Sequence, residues 1–323
     1  MSADDAGTFP LVPVPGSSLR LARPQAPAGT QRFLLRLDSR LRGNERTWWA
    51  SRMTIRILAV LLFTLVVAAP ASAARCGGNF NAFLDQMARE AENAGVSRAV
   101  VARAFAGLTI DQRVLRFDRI QKHSFRRERS FEEFARTRVT RARLNTAARL
   151  MRRHAALFDR IEARFGVPRQ LLMAIWTMES DNGRGDMGKR PVVRTLATLA
   201  HDCRRSELFQ RQLIAALQIL QRGDLPLSQL IGAYAGEIGQ TQFLPSSYIK
   251  YGVDFDGDGR VDLRHSVPDV LASTANLLKV NGWRAGAPFG LGSANFEVMR
   301  EWNRSELYRR ALVLFSERLG ARP

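Results

Sequence analysis

Thirteen uncharged residues, Ile57 to Ala69, follow Arg56 and lead into Ala71-Ser72-Ala73. A positive residue, a short apolar run and a small-x-small triplet make a secretory signal peptide over 53–73, with cleavage after Ala73. The run is shorter than the ~18–20 residues of a membrane-spanning helix. Read as a buried core helix instead, it would leave the triplet without a purpose. The part expected to fold is therefore 74–323, 250 residues of the 323. Residues 1–52 carry five prolines and eight arginines, with no sustained periodicity beyond a possible short helix at Phe33–Leu41. They read as a disordered or mis-called extension ahead of a true initiator at Met53.

Charge points to an anionic partner. Lys+Arg total 49 against Asp+Glu 30, a net +19, and removing residues 1–73 leaves +14. Only four of the 49 cations are lysine (Lys122, Lys189, Lys250, Lys279), so a coding bias towards Arg contributes as well. Charge alone suggests nucleic acid. Export argues against that, as does the lack of a concentrated basic helix among the motifs below.

The chain has two cysteines, Cys76 and Cys203. In an oxidising compartment two thiols usually pair. The alternative is Cys76 as a lipid acceptor, but Arg75 stands where a lipobox needs a small residue.

Helical spacing dominates the exported part. Apolar positions predict helices over Phe80–Ala94, Arg98–Ala106, one long helix over Arg141–Phe165, then Pro168–Ser180 with Pro168 near N1, Leu208–Gln221 and Val267–Asn281. No βαβ alternation and no internal repeat are present, so the fold class is mainly α. Gly236–Asp262 is the one long helix-poor stretch, and its Gly, Asp, Ser and Gln content suits a loop-built site.

Three segments carry candidate chemistry. Glu179 lies in the last turn of the Pro168–Ser180 helix, beside an apolar face through Leu171, Leu172, Ile175 and Met178. Burial and the negative end of the helix dipole both raise a carboxylate pKa, which a glycosidic general acid requires. A Glu pointing to water at an amphipathic helix end is the bland alternative. The second segment, Gly232–Tyr248, offers amides at Gln240 and Gln242 and ring faces at Tyr234, Phe243 and Tyr248, with Ser246 as a helix N-cap. A tight Gly-rich packing site is its alternative. The third, Asp254-Phe255-Asp256-Gly257-Asp258-Gly259-Arg260, matches the first half of an EF-hand loop. Asp254, Asp256, Asp258, the Arg260 carbonyl and Asp269 are the candidate Ca²⁺ ligands. His265 stands where that loop needs Glu, and a metal-free Asx-turn loop is the alternative.

These segments together resemble the lytic murein transglycosylases of the B type. The resemblance rests on Gly166-Val167-Pro168 leading to Glu179-Ser180, on Leu196 to Ala200, on Arg204-Arg205 and on Gly232–Tyr248. It extends through Val253–Gly259, Asn281-Gly282-Trp283, and Glu301 to Ser305 with Tyr308. It implies a lysozyme-like helical fold over 74–323 and cleavage of peptidoglycan glycan strands in the periplasm by a monomer. No cofactor is needed for the chemistry, and nucleic acid is not a partner. It also implies Glu179 as the single catalytic acid/base. Gln242, Tyr234, Arg204, Arg205, Asn303 and Tyr308 would face substrate, and the arginine pair would meet peptide-stem carboxylates. Ala233 departs from the family's usual Ser, and Glu237 reads as structural.

Overall fold

The computed structural model describes residues 74–124 and 130–321. The expected extension 1–52 and signal peptide 53–73 lie outside the described residues.

Thirteen α-helices and one pair of two-residue strands are present among the described residues. In chain order they are α1 Phe80–Asn93, α2 Arg98–Phe105, α3 Gln112–Ser124, α4 Phe131–Arg138, α5 Arg141–Arg153, α6 Ala155–Phe165 and α7 Arg169–Ser180. Then come β1 Arg190–Pro191, α8 Val192–His201, α9 Ser206–Arg222, β2 Ile231–Gly232, α10 Pro245–Tyr251, α11 Val267–Val280, α12 Ala294–Val298 and α13 Glu306–Gly320. Side-chain oxygens cap many of the starts: Asn79, Ser97, Ser130, Thr140, Ser266, Ser293 and Ser305 each accept an N–H of their own first turn.

The helix α7 is the axis of the molecule. Every residue from Leu171 to Ser180 is buried, as expected of a helix that is enclosed on all sides rather than amphipathic. Its neighbours are α5, α11 and α13. A second layer packs α9 on α8 and α10, with α1 and α2 against α9 and α3 against α8. The Cys76–Cys203 disulfide ties the segment before α1 to the α8–α9 turn, with the Cα atoms 5.2 Å apart.

Three expectations are corrected. The long helix over Arg141–Phe165 is two helices, because His154 leaves helical geometry at φ −105° and ψ 24°. The break lets α5 face α7 and α13 while α6 turns to face α11. Pro168 is the N-cap of α7 rather than N1. Ser246 lies inside α10, whose N-cap is Leu244. Its hydroxyl and N–H are both bonded to the Gln212 amide, at 2.9 and 3.0 Å, which fixes α10 to α9.

The strands β1 and β2 pair antiparallel with Arg190 opposite Gly232. Just before β1, Gly188 adopts φ +85°, and a Cβ there would stand 2.0 Å from the Gly232 carbonyl carbon. Only glycine allows the 181–189 loop to press so closely against the 232–243 segment. Both loops therefore converge on the C-terminal end of α7.

Candidate active site

Glu179 occupies the last turn of α7 and is 2% exposed. Its Oε1 accepts the Tyr308 hydroxyl at 2.5 Å and the Trp302 indole N–H at 3.3 Å. Both donors come from the far end of the chain. Asn303 Oδ1 accepts the Ser305 N–H at 2.9 Å, and Ser305 in turn caps α13, so this short turn aims both Trp302 and Tyr308 at the carboxyl. The Trp302 ring is backed edge-to-face by Phe243, with centroids 5.5 Å apart.

Burial pushes the Glu179 carboxyl up to about 7. The Tyr308 and Trp302 bonds oppose that rise, the nearby Glu237 carboxylate adds to it, and Arg138 opposes it. The desolvation expected from the sequence is thus the leading cause. Tyr308 is itself pushed well above the ordinary phenol range, first by burial and then by the Glu179 charge, so it remains a donor. A carboxyl that holds its proton near neutrality and loses it readily is equipped to be an acid and then a base.

Glu237 is the second buried carboxylate. Burial raises its pKa too, and its Oε2 accepts the Ala235 N–H at 2.9 Å. It closes its own loop.

The remaining predicted residues fall in different places. Gln242 sits at φ 55°, with its Nε2 donating to the Gly239 carbonyl at 2.8 Å. Gln240 is spent inside the fold, accepting the Trp176 N–H at 2.7 Å and donating to the Arg264 carbonyl at 2.9 Å. Tyr234 is sandwiched: Phe117 of α3 stacks on it at 3.6 Å between centroids, and the Arg190 guanidinium lies 3.9 Å from the ring centre. With both faces covered, it cannot stack on a sugar ring. Phe243 and Tyr248 are core residues, which corrects their reading as open faces. Asn303 is buried and holds the turn before α13, as described above. Arg204 and Arg205 straddle one buried carboxylate, Asp118 of α3, with contacts of 2.6 Å to Oδ2 and 2.5 Å to Oδ1. Each remains about one-third exposed, so the trio presents one net positive charge.

In the acidic loop, carboxylate oxygens of Asp254, Asp256 and Asp269 lie within 4.8 Å of one another. Asp269 is fully buried and its pKa is raised, chiefly by burial. Asp258 points elsewhere and pairs with the Arg260 guanidinium at 3.3 Å, so it is outside the converging set. Each converging carboxylate also accepts backbone N–H groups, as an Asx-turn loop does. The donor set is all hard oxygen, the kind that suits Ca²⁺.

The role of Trp302 was not read from the sequence, although a buried indole N–H needs a partner and that need was a signal.

Residues 79–293 match the family model described as the transglycosylase SLT domain. The chain belongs to this family. Tyr308 and Trp302 fall beyond the matched range, and the fold still brings them to Glu179. The membrane-bound lytic murein transglycosylase B of Escherichia coli (strain K12) is 41% identical over 124 residues, 38% of this chain and 34% of the relative. The matched stretch thus spans about a third of that relative's length. SltB3 of Pseudomonas aeruginosa, solved in complex with NAG-NAM-pentapeptide, is 31% identical. It aligns with TM-score 0.70 over 76% of this chain and 81% of its own. The Escherichia coli lytic transglycosylase Slt35, solved in complex with calcium, aligns with TM-score 0.65 at 23% identity, over 76% of this chain and 96% of its own. The last likeness is one of fold. The lysozyme-like helical fold expected from the sequence is the fold observed, and no helix among the described residues is long and apolar enough to cross a membrane.

Proposed function

We propose that the protein cleaves the β-1,4 bond between N-acetylmuramic acid and N-acetylglucosamine in peptidoglycan, leaving 1,6-anhydromuramoyl ends. The observation that carries this reading is the buried Glu179 carboxyl, poised near neutrality and held by Tyr308 and Trp302. SltB3 has also been solved with NAG-anhNAM-pentapeptide, at TM-score 0.69 and 31% identity to this chain.

The chemistry follows from one acid/base group. A retaining glycosidase ordinarily uses two carboxylates. Here Glu237 bonds back to its own loop, which leaves Glu179. Protonated Glu179 donates to the bridging oxygen as the bond to C1 of the muramic sugar breaks. The 2-acetamido carbonyl oxygen of that sugar bonds to C1. Ionised Glu179 then takes the proton of the sugar's own C6 hydroxyl, O6 attacks C1, and the acetamido oxygen leaves. Glu179 ends protonated, and no water is consumed.

In this reading the substrate runs past the 181–189 and 232–243 loops. Gln242 and Tyr308 border the reacting sugar, Arg204 and Arg205 offer their residual positive charge to stem carboxylates, and Asn303 acts by holding the turn. Tyr234 contributes its hydroxyl edge. Asp254, Asp256 and Asp269 would hold a structural Ca²⁺ that stiffens the wall beside α10 and takes no part in the chemistry, with the Arg260 carbonyl as a further oxygen and Asp258, turned to Arg260, outside the set. The exported protein works as a monomer in the periplasm, free of its signal peptide.

Mass spectrometry of purified sacculi after digestion is the test. Product ends one water lighter than reducing ends support the proposal. Reducing ends make the protein a lysozyme-type hydrolase, and binding without any cleavage makes it a cell-wall-binding protein.

A further inference from the structure

We propose that the exposed arginine face of α5 is a second peptidoglycan-binding surface that takes the carboxylates of peptide stems away from the Glu179 site. The proposal rests on the reading of the substrate just given.

The helix reads RARLNTAARLMRR, with five arginines and no acidic residue. At 3.6 residues per turn, Arg141, Arg149, Arg152 and Arg153 fall within roughly 120° of arc. All four are exposed. None has an ion pair among the described residues. The fifth, Arg143, lies on another side and reaches Asp181 at 3.8 Å, two residues beyond Glu179. The N-terminal end of α5 therefore lies level with the end of α7, and the stripe, on the side turned away from Arg143, runs about 18 Å along the helix.

Helix stability does not account for this face. The dipole welcomes Arg152 and Arg153 in the last turn, but Arg141 stands in the first turn, at the positive end. Arg149 has like charges at i+3 and i+4, a spacing that repels. A solvated face built for stability would place Glu at such a spacing, and the positions between hold Asn145 and Ala142 instead. The face is thus an uncompensated row of planar, bidentate donors suited to carboxylates. It carries no large apolar side chain to enter a bilayer, which favours a hydrated polymer over a lipid surface. A glycan strand engaged at Glu179 carries further stems along its length, and it is these outlying carboxylates that the α5 row would meet.

The test uses mature protein with Glu179→Gln, which binds without cutting, as parent. The variant adds Arg141→Gln, Arg149→Gln, Arg152→Gln and Arg153→Gln, with Gln chosen to keep helix propensity. Co-sedimentation with sacculi at low salt should show roughly tenfold weaker binding by the variant. The gap should close at 1 M salt, where the Debye length is about 3 Å. It should also close on sacculi whose carboxylates have been amidated. If the fourfold variant does not fold, the Arg149→Gln/Arg153→Gln pair replaces it. Equal binding of parent and variant at low salt overturns the proposal, as does a gap that survives amidation. A larger loss on phosphatidylglycerol vesicles than on sacculi overturns it in favour of a membrane. Wild-type digests read the underlying function separately. Normal anhydro ends with arginine-independent binding remove only the α5 surface, whereas their absence removes the reading on which it rests.

Discussion

Replacing Glu179 by Gln should abolish cleavage and, above neutrality, stabilise the fold. The carboxyl is 2% exposed and raised from 4.5 to about 7, so the native state holds a proton that the unfolded chain releases. Between those values the folded protein binds more protons than the unfolded one. Stability is therefore fully present below pH 4.5, falls as pH rises to about 7, and is flat beyond. At about 1.4 kcal/mol per pKa unit, the ionised carboxylate costs the native state about 3 kcal/mol at pH 8.5. The isosteric amide carries no such charge and still accepts from Tyr308. Glu179→Gln should therefore melt about 6–12 °C above wild type at pH 8.5, given roughly 2–4 °C per kcal/mol for a chain of this size. At pH 4.5 the two should melt together. Thermal unfolding by circular dichroism across pH 4–9 measures this. A melting difference that does not change with pH would refute the argument that burial of a charge sets the pKa of Glu179.

Two substitutions should move the activity profile in opposite directions. Cleavage should decline as pH rises above about 7, where the acid form of Glu179 is lost. Tyr308→Phe removes a bond that lowers that pKa, so the decline should shift to higher pH while kcat falls by 10- to 100-fold. Glu237→Gln removes a charge that raises it, so the decline should shift to lower pH with the maximal rate less affected. Turbidity loss of sacculi against pH reads both. Cys76→Ser/Cys203→Ser frees a loop of 127 residues and should destabilise the protein by up to about 5 kcal/mol on loop-closure entropy, read from denaturant midpoints of exported protein. Millimolar Ca²⁺ should raise the melting temperature over chelator in wild type and not in Asp256→Ala. An unchanged wild type would leave 254–269 a metal-free turn.

The sequence carried the long helices because apolar spacing is local, and α1, α2, α7, α9 and α11 fall within two residues of where that spacing puts them. The helix pattern placed Glu179 beside the apolar face of Leu171, Ile175 and Met178 but left a solvent-pointing Glu as the alternative, and its burial decides between the two. The break at His154 was hidden because the pattern continues through it, and only the different partners of α5 and α6 separate the two helices. Asp269 was legible as the next available carboxylate after the acidic run. Asp258 was misplaced because spacing does not say that Arg260 turns its side chain away.

What could not be read locally are the partners brought from afar. Tyr308 lies 129 residues from Glu179 and Trp302 lies 123, so no spacing rule connects them. Asp118 is likewise far in sequence from the arginine pair that straddles it, and Phe117 and Arg190 cover Tyr234 from two separate elements. These distant contacts decide the assignment of roles. Glu179 and Glu237 are both buried and both raised, so burial alone does not choose between them. Glu237 accepts a backbone N–H two residues away and so serves the shape of its loop. Glu179 instead receives two side-chain donors from elsewhere in the chain, and they hold one of its oxygens at the end of α7. The second carboxylate acts on the first through its charge and raises the pKa of the first. The proposed mechanism needs only one of these two buried carboxyls at the bond to be broken, and the donor geometry is what favours Glu179 for that place.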